Sequence, residues 1–331
     1  MPRIAIAGKN QVAIDGMNAA LALDMNRRVY CVANRSDDGV DRWQPSFRKC
    51  AAASARVELV ELDDLFDLDD IHFFSLEFDR ILKPERFRSA ALFNLHFSLL
   101  PAYRGMYTST MPLLNGETES GVTLHRIDGG IDTGPMVTRR SFPILTEDTA
   151  RDLYLKYLQA GSRLFREHLK SVVLGDFSQT DQPEAGSSYT SRSAIDYGNL
   201  KIDMNRSALQ VHNQIRAFTF REYQLPVIGG MPIYRSQMTD TRSGAEPGTL
   251  SGRTAHTLRL ATLDHDLILF PDRFDDALAA ICADDHRSLE QILAQFPGLA
   301  AEQDPQGLSL PGQARKARAV NCLELLASAE P

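Results

Sequence analysis

The fold of this chain is decided by the stretch Phe93–Val137, FNLHFSLLPAYRGMYTSTMPLLNGETESGVTLHRIDGGIDTGPMV. We predict a short apolar strand at Ala91–Phe93, and polar residues follow at every second position where the strand gives way to a loop. Because successive side chains of a strand point to opposite faces, Asn94, His96 and Ser98 share one face. An amide and an imidazole on the same face of a strand end indicate a functional site rather than packing.

A carboxylate within a glycine-rich turn lies further along the same stretch. Asp132 is part of Ile127–Gly134, IDGGIDTG, where glycine allows close approach of the main chain. Each feature alone has a plainer interpretation, since a histidine near an apolar strand is more often structural and an aspartate between glycines is usually a turn residue. The order of these features along the chain is what makes them specific.

The ordered set N-x-H-x-S-x-L-P-x-Y-R-G, G-V-T-x-H and D-x-G-x-D-T-G resembles the folate-dependent formyltransferases, which include glycinamide ribonucleotide, methionyl-tRNA and nucleotide-sugar enzymes. The resemblance covers about Pro2–Arg235. It implies an N-formyltransferase whose co-substrate is 10-formyltetrahydrofolate and whose catalytic residues are Asn94, His96 and Asp132.

The chemistry of formyl transfer explains why these residue types are needed. An amine attacks the formamide carbon through a tetrahedral oxyanion, the amine loses a proton, and the departing folate nitrogen gains one. The imidazole of His96 suits proton transfer near neutral pH, and the amide of Asn94 donates to an oxyanion without titrating. The carboxylate of Asp132 orients the imidazole and supports its charged form.

Length and composition agree with a multidomain globular protein. The 331 residues are enough for two or three domains, and 43% hydrophobic with 24% charged residues is an ordinary balance. The formal net charge of −7 argues against a nucleic-acid surface, which needs clustered Lys and Arg.

Targeting and metal signals are missing from the sequence. The chain begins with a predicted strand and contains no run of 18 apolar residues, so we expect a cytoplasmic protein without a membrane span. No pair of cysteines has C-x-x-C spacing, which favours free thiols, and we expect no bound metal. The cysteines are Cys31, Cys50, Cys282 and Cys322.

Apolar strands alternate with helical patterns in the first half of the chain. This alternation predicts an α/β class, with a Rossmann-like, mostly parallel sheet (the formyltransferase fold) in residues 1–185. A small β-rich module follows in residues 186–272, and an ankyrin-like helical tail in residues 273–331. The predicted strands are Arg3–Gly8, Arg28–Asn34, Val57–Leu62, Asp70–Leu76, Gly121–Ile127, Val227–Tyr234, Thr257–Thr262 and Asp266–Phe270, and the predicted helices are Val12–Leu21, Met106–Leu114, Asp148–Leu174 and a helix capped by Ser207.

Ligands of parallel sheets lie beyond the carboxyl ends of the strands. Several loop residues near these predicted ends match segments that shape the folate pocket in the resembling family, and the resemblance implies that they bind the folate. They are Phe78, Asp79, Tyr103, Arg104, Gly105, Asp128 and Gly130. For Asp79, the alternative is a solvated loop charge.

The turn Gly8–Gln11 is too short for the dinucleotide pattern G-x-G-x-x-G. Lys9, Asn10 and the following helix N-terminus suit a phosphate-bearing acceptor, and G-K-N at this place resembles the nucleotide-sugar branch of the family. The same branch places Glu77 near the acceptor. The alternatives are a plain strand-to-helix turn at residue 8 and a solvated charge at residue 77.

The segment Arg216–Pro226 is dense in arginine and aromatic residues. A guanidinium at Arg216 can hold a pyrophosphate, and the rings of Phe220 and Tyr223 can stack on a base. The segment resembles the part of sugar-nucleotide enzymes that neighbours the nucleotide. The alternative is a helix C-terminus with an arginine near its dipole. Before it, residues 175–193 are rich in Gly, Ser, Gln, Pro and Asp, which predicts the exit from the first domain.

The tail contains a weak internal repeat. A shift of 33 residues, the ankyrin period, superposes apolar positions. The superposed pairs are Ile281 with Ala314, Leu289 with Cys322, Ile292 with Leu325 and Leu293 with Leu326. Two repeats are too few for a free-standing solenoid, so the tail must pack on its own protomer or on a dimer partner. The alternative is two helical hairpins without an ankyrin relationship.

The resemblance implies transfer of a formyl group to the amine of a dTDP-linked amino-6-deoxyhexose for surface polysaccharide synthesis, by a homodimer that binds neither nucleic acid nor membrane. The 3-amino and 4-amino sugars both remain open. Alternatives are another acceptor, either methionyl-tRNA or glycinamide ribonucleotide, hydrolysis of formyltetrahydrofolate, or a non-catalytic nucleotide-sugar binder. We expect no regulatory domain before Met1, which argues against the hydrolase, and the intact Asn94, His96 and Asp132 argue against the binder.

Overall fold

The computed structural model describes residues 2–24, 26, 28–254, 256–304 and 307–328. These residues divide into two compact units. The first contains residues up to 112, 117–148 and 152–195, and the second contains residues 113–116, 149–151 and 196 onward. The outer boundaries predicted at Met1 and Pro331 lie outside the described residues. Within the described part of the chain, no helix is long and apolar enough to cross a membrane.

The first unit is built on a mixed sheet. The elements of this half of the chain are β1 (Arg3–Gly8), α1 (Asn10–Ala22), β2 (Val29–Ala33), α2 (Phe47–Ala52), β3 (Val57–Leu59), β4 (Ile71–Leu76), β5 (Leu92–His96), β6 (Arg104–Gly105), α3 (Met111–Leu114), β7 (Glu119–Arg126), β8 (Met136–Pro143), α4 (Ala150–Leu174) and β9 (Tyr189–Thr190). The sheet has the order β3-β2-β1-β4-β5-β7-β8. All pairs from β3 to β5 are parallel, whereas β5–β7 and β7–β8 are antiparallel. The predicted mostly parallel α/β sheet is confirmed.

Buried strands explain why this sheet forms. Residues 4–8 of β1 are all buried, as expected for a central strand that is covered on both faces. Two glycines let helices approach the sheet closely. A Cβ at Gly16 of α1 would lie 2.3 Å from Leu76 Cδ1, and a Cβ at Gly161 of α4 would lie 3.0 Å from Leu95 Cδ2. This packing holds the carboxyl ends of β4 and β5 side by side.

Several predicted boundaries differ from the structure. The strand predicted at Ala91–Phe93 runs instead over Leu92–His96, so two of the predicted catalytic residues lie in the strand and not beyond it. The helix predicted at Met106–Leu114 is reduced to Met111–Leu114. Strand β8 was not predicted, although it forms seven antiparallel residue pairs with β7.

The second unit contains an antiparallel sheet and helices. Its elements are α5 (Ala208–Ala217), β10 (Val227–Ile228), β11 (Met231–Arg242), β12 (Leu250–Ser251), β13 (Leu258–Leu260), β14 (His265–Pro271), α6 (Phe274–Cys282), α7 (His286–Gln295), α8 (Leu310–Ala317) and α9 (Val320–Ser328). The sheet order is β10-β11-β14-β13-β12. Ser207 caps α5 as predicted, and its hydroxyl accepts from the Gln210 N–H.

Helices α6 to α9 enclose an apolar core of their own. Side chains from all four helices are buried there, including Phe274, Leu289, Leu310 and Leu326. Phe270 of β14 packs against this core, so the tail is covered partly by its own protomer. The pairing of helices agrees with two helical hairpins, and the ankyrin relationship is not confirmed. The division at residue 272 stays a prediction, and residues 186–195 lie in the first unit.

Two arginines with mostly covered side chains join parts of the second unit through ion pairs. Arg151 Nε donates to both carboxylate oxygens of Glu222, at 2.8 and 3.1 Å, and the Glu222 side chain is 0% exposed. The guanidinium of Arg221 lies 2.6 Å from Asp272 and 3.4 Å from Glu302. These contacts fix the segment that follows α5 against the start of the tail.

Candidate active site

Strands β5 and β7 place three polar side chains together. Asn94 and His96 lie on β5, and Asn94 is directly opposite His125 of the antiparallel strand β7. Asp132 lies in the loop between β7 and β8. The structure thus brings together the three residues predicted to be catalytic, and it adds His125, the last residue of G-V-T-x-H.

The carboxylate of Asp132 is the centre of this cluster. Its Oδ1 accepts from Asn94 Nδ2 at 3.1 Å and lies 3.4 Å from His125 Nε2. Its Oδ2 accepts from the Gly105 N–H at 2.9 Å and lies 3.5 Å from His96 Nδ1. The main chain of Asp132 is left-handed, with φ of 54°, which is uncommon for a residue other than glycine. Its neighbours therefore have to hold this conformation.

Burial and hydrogen bonding act in opposite directions on Asp132. Burial alone would raise the pKa of the carboxyl, because it disfavours the charged form. The charge of His96, the contacts with His125 and the Gly105 N–H outweigh burial and hold the pKa of Asp132 below its usual value. The carboxylate is therefore ionised at neutral pH.

His96 has an acceptor on each side of its ring. Nε2 lies 2.8 Å from the carbonyl oxygen of Tyr103, and since a carbonyl only accepts, we assign the ring proton of the neutral form to Nε2. Nδ1 then carries the lone pair and faces Asp132. Burial lowers the pKa of His96, and Asp132 and the Tyr103 carbonyl oppose this effect. The neutral ring can take up a proton at Nδ1, where Asp132 stabilises the resulting charge.

Both amide hydrogens of Asn94 are used within the site. One points to Asp132, and Nδ2 is also 3.2 Å from His125 Nε2. His125 Nδ1 lies 2.7 Å from the carbonyl of Arg126, so Nδ1 donates and Nε2 is free to accept from Asn94. An oxyanion that binds Asn94 would have to replace one of these two partners.

The loop that carries Tyr103, Arg104 and Gly105 lies against the cluster. Tyr103 contributes its carbonyl to His96, and Gly105 contributes its N–H to Asp132. Arg104 donates from Nε and Nη2 to the Gln182 side-chain oxygen, at 3.0 and 2.7 Å. Binding of folate by these residues stays a prediction.

Asp128 and Gly130 form the turn that presents Asp132. Oδ1 of Asp128 accepts from the Gly130 N–H at 3.1 Å and from the Thr133 hydroxyl at 2.7 Å. The turn interpretation of Asp128 therefore accounts for its contacts, and its role as a folate ligand stays a prediction.

Phe78 and Asp79 follow β4, and they contact β4 itself and the loop that follows β2. Phe78 packs edge-on against Phe73, with ring centroids 6.3 Å apart. Asp79 is exposed, and its Oδ2 accepts from the Arg35 N–H at 3.1 Å while its own N–H donates to Asn34. The structure places both at the carboxyl edge of the sheet, and folate binding by them stays a prediction.

The predicted acceptor residues Asn10 and Glu77 meet at the ends of β1 and β4. Asn10 Nδ2 donates to Glu77 Oε2 at 3.4 Å and to the Tyr154 hydroxyl at 2.9 Å. The Tyr154 hydroxyl also lies 2.9 and 3.0 Å from the Glu77 oxygens, and the ring of Trp43 lies 5.5 Å from that of Tyr154. Tyr154 and Trp43 were not predicted from the sequence, since each is a single aromatic residue in an unrelated segment.

Burial raises the pKa of Glu77 above its usual value. The charge of Lys9 and the hydrogen bonds from Tyr154 and Asn10 oppose this rise. Lys9 thus lies where its charge acts on Glu77, at the N-terminus of α1. Lys9, Asn10 and Glu77 form one polar group, and binding of the acceptor by this group stays a prediction.

The predicted nucleotide residues lie in the second unit. Arg216 is buried, and its Nε donates to Asn213 Oδ1 at 2.9 Å, as expected for a structural residue near a helix end. Phe220 is also buried, whereas Tyr223 is 63% exposed with its ring 4.7 Å from that of Phe220. Contact of these three residues with a nucleotide stays a prediction.

Comparison with known proteins identifies the family. The sequence matches the model of the formyl transferase family at residues 75–169. A solved N-formyltransferase from Helicobacter canadensis, in complex with folinic acid and dTDP-3-aminofucose, is 40% identical to this chain, with a TM-score of 0.77; the match covers 82% of this chain and 100% of that one. The chain belongs to the sugar N-formyltransferases.

Other relatives agree with this assignment. The sugar 3-N-formyltransferase WlaRD, solved with dTDP and 5-N-formyl-THF, is 39% identical to this formyltransferase over 82% of this chain and 98% of its own, with a TM-score of 0.76. A methionyl-tRNA formyltransferase of Coxiella burnetii is 28% identical over 264 residues, which cover 75% of this chain and 83% of that protein. The prediction that the chain is a formyltransferase is confirmed.

Proposed function

We propose that this formyltransferase moves the formyl group of 10-formyltetrahydrofolate to the 3-amine of a dTDP-linked amino-6-deoxyhexose. The observation that carries the proposal is the hydrogen-bonded cluster of Asn94, buried His96 and Asp132 in a chain that is 40% identical to an enzyme solved with folinic acid and dTDP-3-aminofucose. The second relative at this level of identity is a 3-N-formyltransferase, which favours the 3-amine over the 4-amine.

The residues of the cluster suit the chemistry of a formyl group. The attacking amine gives up a proton, and neutral His96 accepts it at Nδ1 beside the Asp132 carboxylate. The formyl oxygen gains negative charge as its carbon becomes tetrahedral, and an Asn94 N–H donates to it in place of His125 or Asp132. The protonated imidazole then supplies the proton that the departing folate nitrogen needs. Each step uses a group that is held in place before the substrate arrives.

The acceptor sugar has a polar group to bind it. Lys9 and the N-terminus of α1 suit the phosphates, and the carboxylate of Glu77 with the hydroxyl of Tyr154 suits the hydroxyl groups of a hexose. Glu77 follows β4 at the position that corresponds to His96 on β5, because Leu76 pairs with Leu95 in parallel register. This register supports an acceptor whose sugar ring lies beside His96.

We further propose a cytoplasmic homodimer that supplies a precursor of bacterial surface polysaccharides. Nucleotide-activated sugars and reduced folates are both cytoplasmic metabolites, so an enzyme that uses both as substrates has to work in the cytoplasm. Light scattering of the purified protein tests the dimer, and a monomeric mass at micromolar concentration would contradict it.

A turnover assay with defined acceptors tests the proposal. Purified enzyme is mixed with 10-formyltetrahydrofolate and with dTDP-3-aminofucose, its 4-amino isomer, or no acceptor, and the product is identified by mass spectrometry. We expect formylation of the 3-amino sugar at a kcat/KM at least tenfold above that for the 4-amino isomer, and release of formate without acceptor at background rate. Equal rates with both isomers would overturn the choice of the 3-amine.

A second acceptor is favoured by one observation. The 28% identity to methionyl-tRNA formyltransferases extends over 264 residues, which makes methionyl-tRNA the alternative to test. The same assay with charged initiator tRNA distinguishes the two. Formylation of the tRNA without formylation of any dTDP-sugar would replace the proposed function.

A further inference from the structure

The segment of residues 180–190, which the sequence predicts to be a linker, packs against the active-site loops instead. Thr180 forms a pair of main-chain hydrogen bonds with Met136, at 2.8 and 2.9 Å. Further along, Tyr189–Thr190 pairs in parallel with Arg104–Gly105. The segment is therefore attached at both of its ends to the loops that surround His96. We call residues 180–190 the clasp.

Gln182 of the clasp supports the loop of Asp132. Its Nε2 donates to the carbonyl oxygens of Asp132 and Gly134, both at 2.8 Å, and its Oε1 accepts twice from Arg104. A primary amide has two N–H donors and an oxygen with two lone pairs, so every hydrogen-bonding position of Gln182 is used. Because Asp132 is held in the left-handed region, these bonds stabilise a conformation that the residue would otherwise leave.

Ser188 of the clasp supports the loop of Tyr103 in the same way. The Ser188 hydroxyl accepts from the Tyr103 N–H at 2.7 Å, and its own N–H donates to the Pro101 carbonyl at 3.2 Å. Tyr103 is also left-handed, with φ of 58°. Its carbonyl is the group that faces His96 Nε2.

The clasp thus holds the two acceptors that face the two ring nitrogens of His96. We propose that Gln182, acting through Asp132, and Ser188, acting through Tyr103, are positioning residues that orient the imidazole of His96 for formyl transfer. This proposal rests on the role given to His96 under the proposed function. When a side chain that hydrogen-bonds to the partners of a catalytic group is removed, activity commonly falls by about one to two orders of magnitude.

Gln182→Met tests the proposal, because methionine has a similar length and forms none of the four hydrogen bonds. We expect kcat to fall on the order of tenfold, with KM for both substrates changed less than about threefold. Gln179→Met is the matched control, since Gln179 is exposed and lies three positions before Gln182, just outside the clasp. It should behave as wild type. If Gln182→Met fails to fold, Gln182→Asn keeps the amide with one methylene less and replaces it in the series.

A histidine titration by NMR gives a readout that does not depend on turnover. The groups facing His96 are Asp132, His125 and the Tyr103 carbonyl, and of these Asp132 raises the pKa of His96 while His125 lowers it. When the support of Asp132 is loosened, the pKa of His96 should fall, and the acid limb of the kcat profile should move to lower pH. The resonance of His96 is assigned by its loss in His96→Asn.

The outcomes separate the inference from the function. An unchanged His96 titration and unchanged kcat in Gln182→Met, with the same result in Ser188→Ala, would overturn the positioning role. A wild-type protein that formylates no acceptor would overturn the proposed function, whereas a shifted His96 titration in Gln182→Met alone would still support the clasp. A loss of kcat in Gln179→Met equal to that in Gln182→Met would make the effect a general one of the segment and would also overturn the proposal.

Discussion

The imidazole of His96 is the group through which the proton of the acceptor amine passes in the proposed reaction. Its two ring nitrogens differ, because the Tyr103 carbonyl holds the proton on Nε2 and leaves the lone pair on Nδ1. The His96 side chain is 8% exposed, so bulk water does little to stabilise the charged imidazole. Replacement of this one residue should therefore affect the chemical step more than binding.

For His96→Asn we expect a fall in kcat on the order of 100-fold or more, with KM for the acceptor nearly unchanged. Asparagine keeps a hydrogen-bond donor for the Tyr103 carbonyl, so the loop should stay in place. Steady-state kinetics check the prediction. Turnover near that of wild type would remove His96 from the mechanism.

Asn94→Ala should also lose kcat on the order of 100-fold, because the oxyanion loses its amide donor. The substitution also removes the amide that contacts Asp132 and His125, so the melting temperature is measured together with the kinetics. A rise in KM for the folate with kcat unchanged would instead identify Asn94 as a ground-state contact.

Asp132→Asn should lower kcat and move its acid limb to lower pH. The carboxylate raises the pKa of His96, and a neutral amide does not, so the base form of His96 persists to lower pH in the variant. Asp176→Asn is the control, since Asp176 is exposed and belongs to none of the proposed binding or catalytic groups. An acid limb that stays in place in Asp132→Asn would contradict the assigned role.

Glu77→Gln should stabilise the fold at neutral pH and weaken acceptor binding. Burial raises the folded-state pKa of Glu77 above 4.5, so the ionised carboxyl costs stability as pH rises through that folded value. The variant should melt at a higher temperature than wild type at pH 7 and at the same temperature below about pH 4.5. The exposed Glu58 provides the control Glu58→Gln. A lower melting temperature at pH 7, or an unchanged KM for the acceptor, would argue against this account.

At the scale of strands and loops, β7 and β8 form one edge of the sheet, and Asp132 lies in the loop that connects them. Gly121 of β7 lies so close to β8 that a Cβ would be 2.2 Å from the Arg140 carbonyl oxygen, a main-chain atom that cannot simply turn away. We therefore expect Gly121→Ala to lower the free energy of unfolding by about 1–3 kcal/mol. Gly244→Ala, with open space around its Cβ, is the control, and chemical denaturation measures both. Equal stability of the two variants would contradict the packing argument.

The sequence predicted the elements that have strong local signals. Strands β1, β2 and β4 are mostly apolar runs, and α4 follows from regularly spaced leucines, because burial on both faces or on one stripe leaves that pattern. Strand β8 was missed because its sequence, MVTRRSFP, does not alternate between apolar and polar residues, although half-buried and exposed positions alternate from Thr138 to Pro143. Strands β6 and β9 are two residues each and pair across 85 positions, which no local pattern can reveal.

The cluster around Asp132 was predicted only where its residues belong to the ordered motif. Asn94, His96 and Asp132 were found in this way, whereas Gln182 lies in a stretch whose Gly, Ser and Pro content indicates a linker. The Gln182 side chain makes four hydrogen bonds to residues 48 to 78 positions away, and the composition of a local stretch cannot predict such distant contacts. Tyr154 was missed for the same reason, because its contacts are distant in sequence and it lies within the regular helical pattern of α4.

At the scale of the whole chain, the second unit depends on the core of helices α6 to α9. Leu289 is fully buried in that core, so Leu289→Ala should lower the free energy of unfolding by about 2–5 kcal/mol. We expect kcat at 25 °C to stay near wild type, since the tail supplies none of the proposed catalytic groups. Val320→Ala, at a 62% exposed position of the same tail, is the control. Complete loss of turnover in a folded Leu289→Ala would show that the tail takes part in the active site.

The ion pair of Arg151 and Glu222 also limits how this sequence can diverge. Loss of Arg151 alone leaves the fully buried Glu222 side chain without its counter-ion, at a cost of about 3–5 kcal/mol, whereas apolar residues at both positions can be nearly neutral. Loss of Glu222 alone is less costly, because Arg151 still has Glu302 at 3.8 Å. Among sequences descended from a common ancestor, the carboxylate at 222 should therefore be lost before or together with the arginine at 151, and lineages that retain only Glu222 for long should be rare.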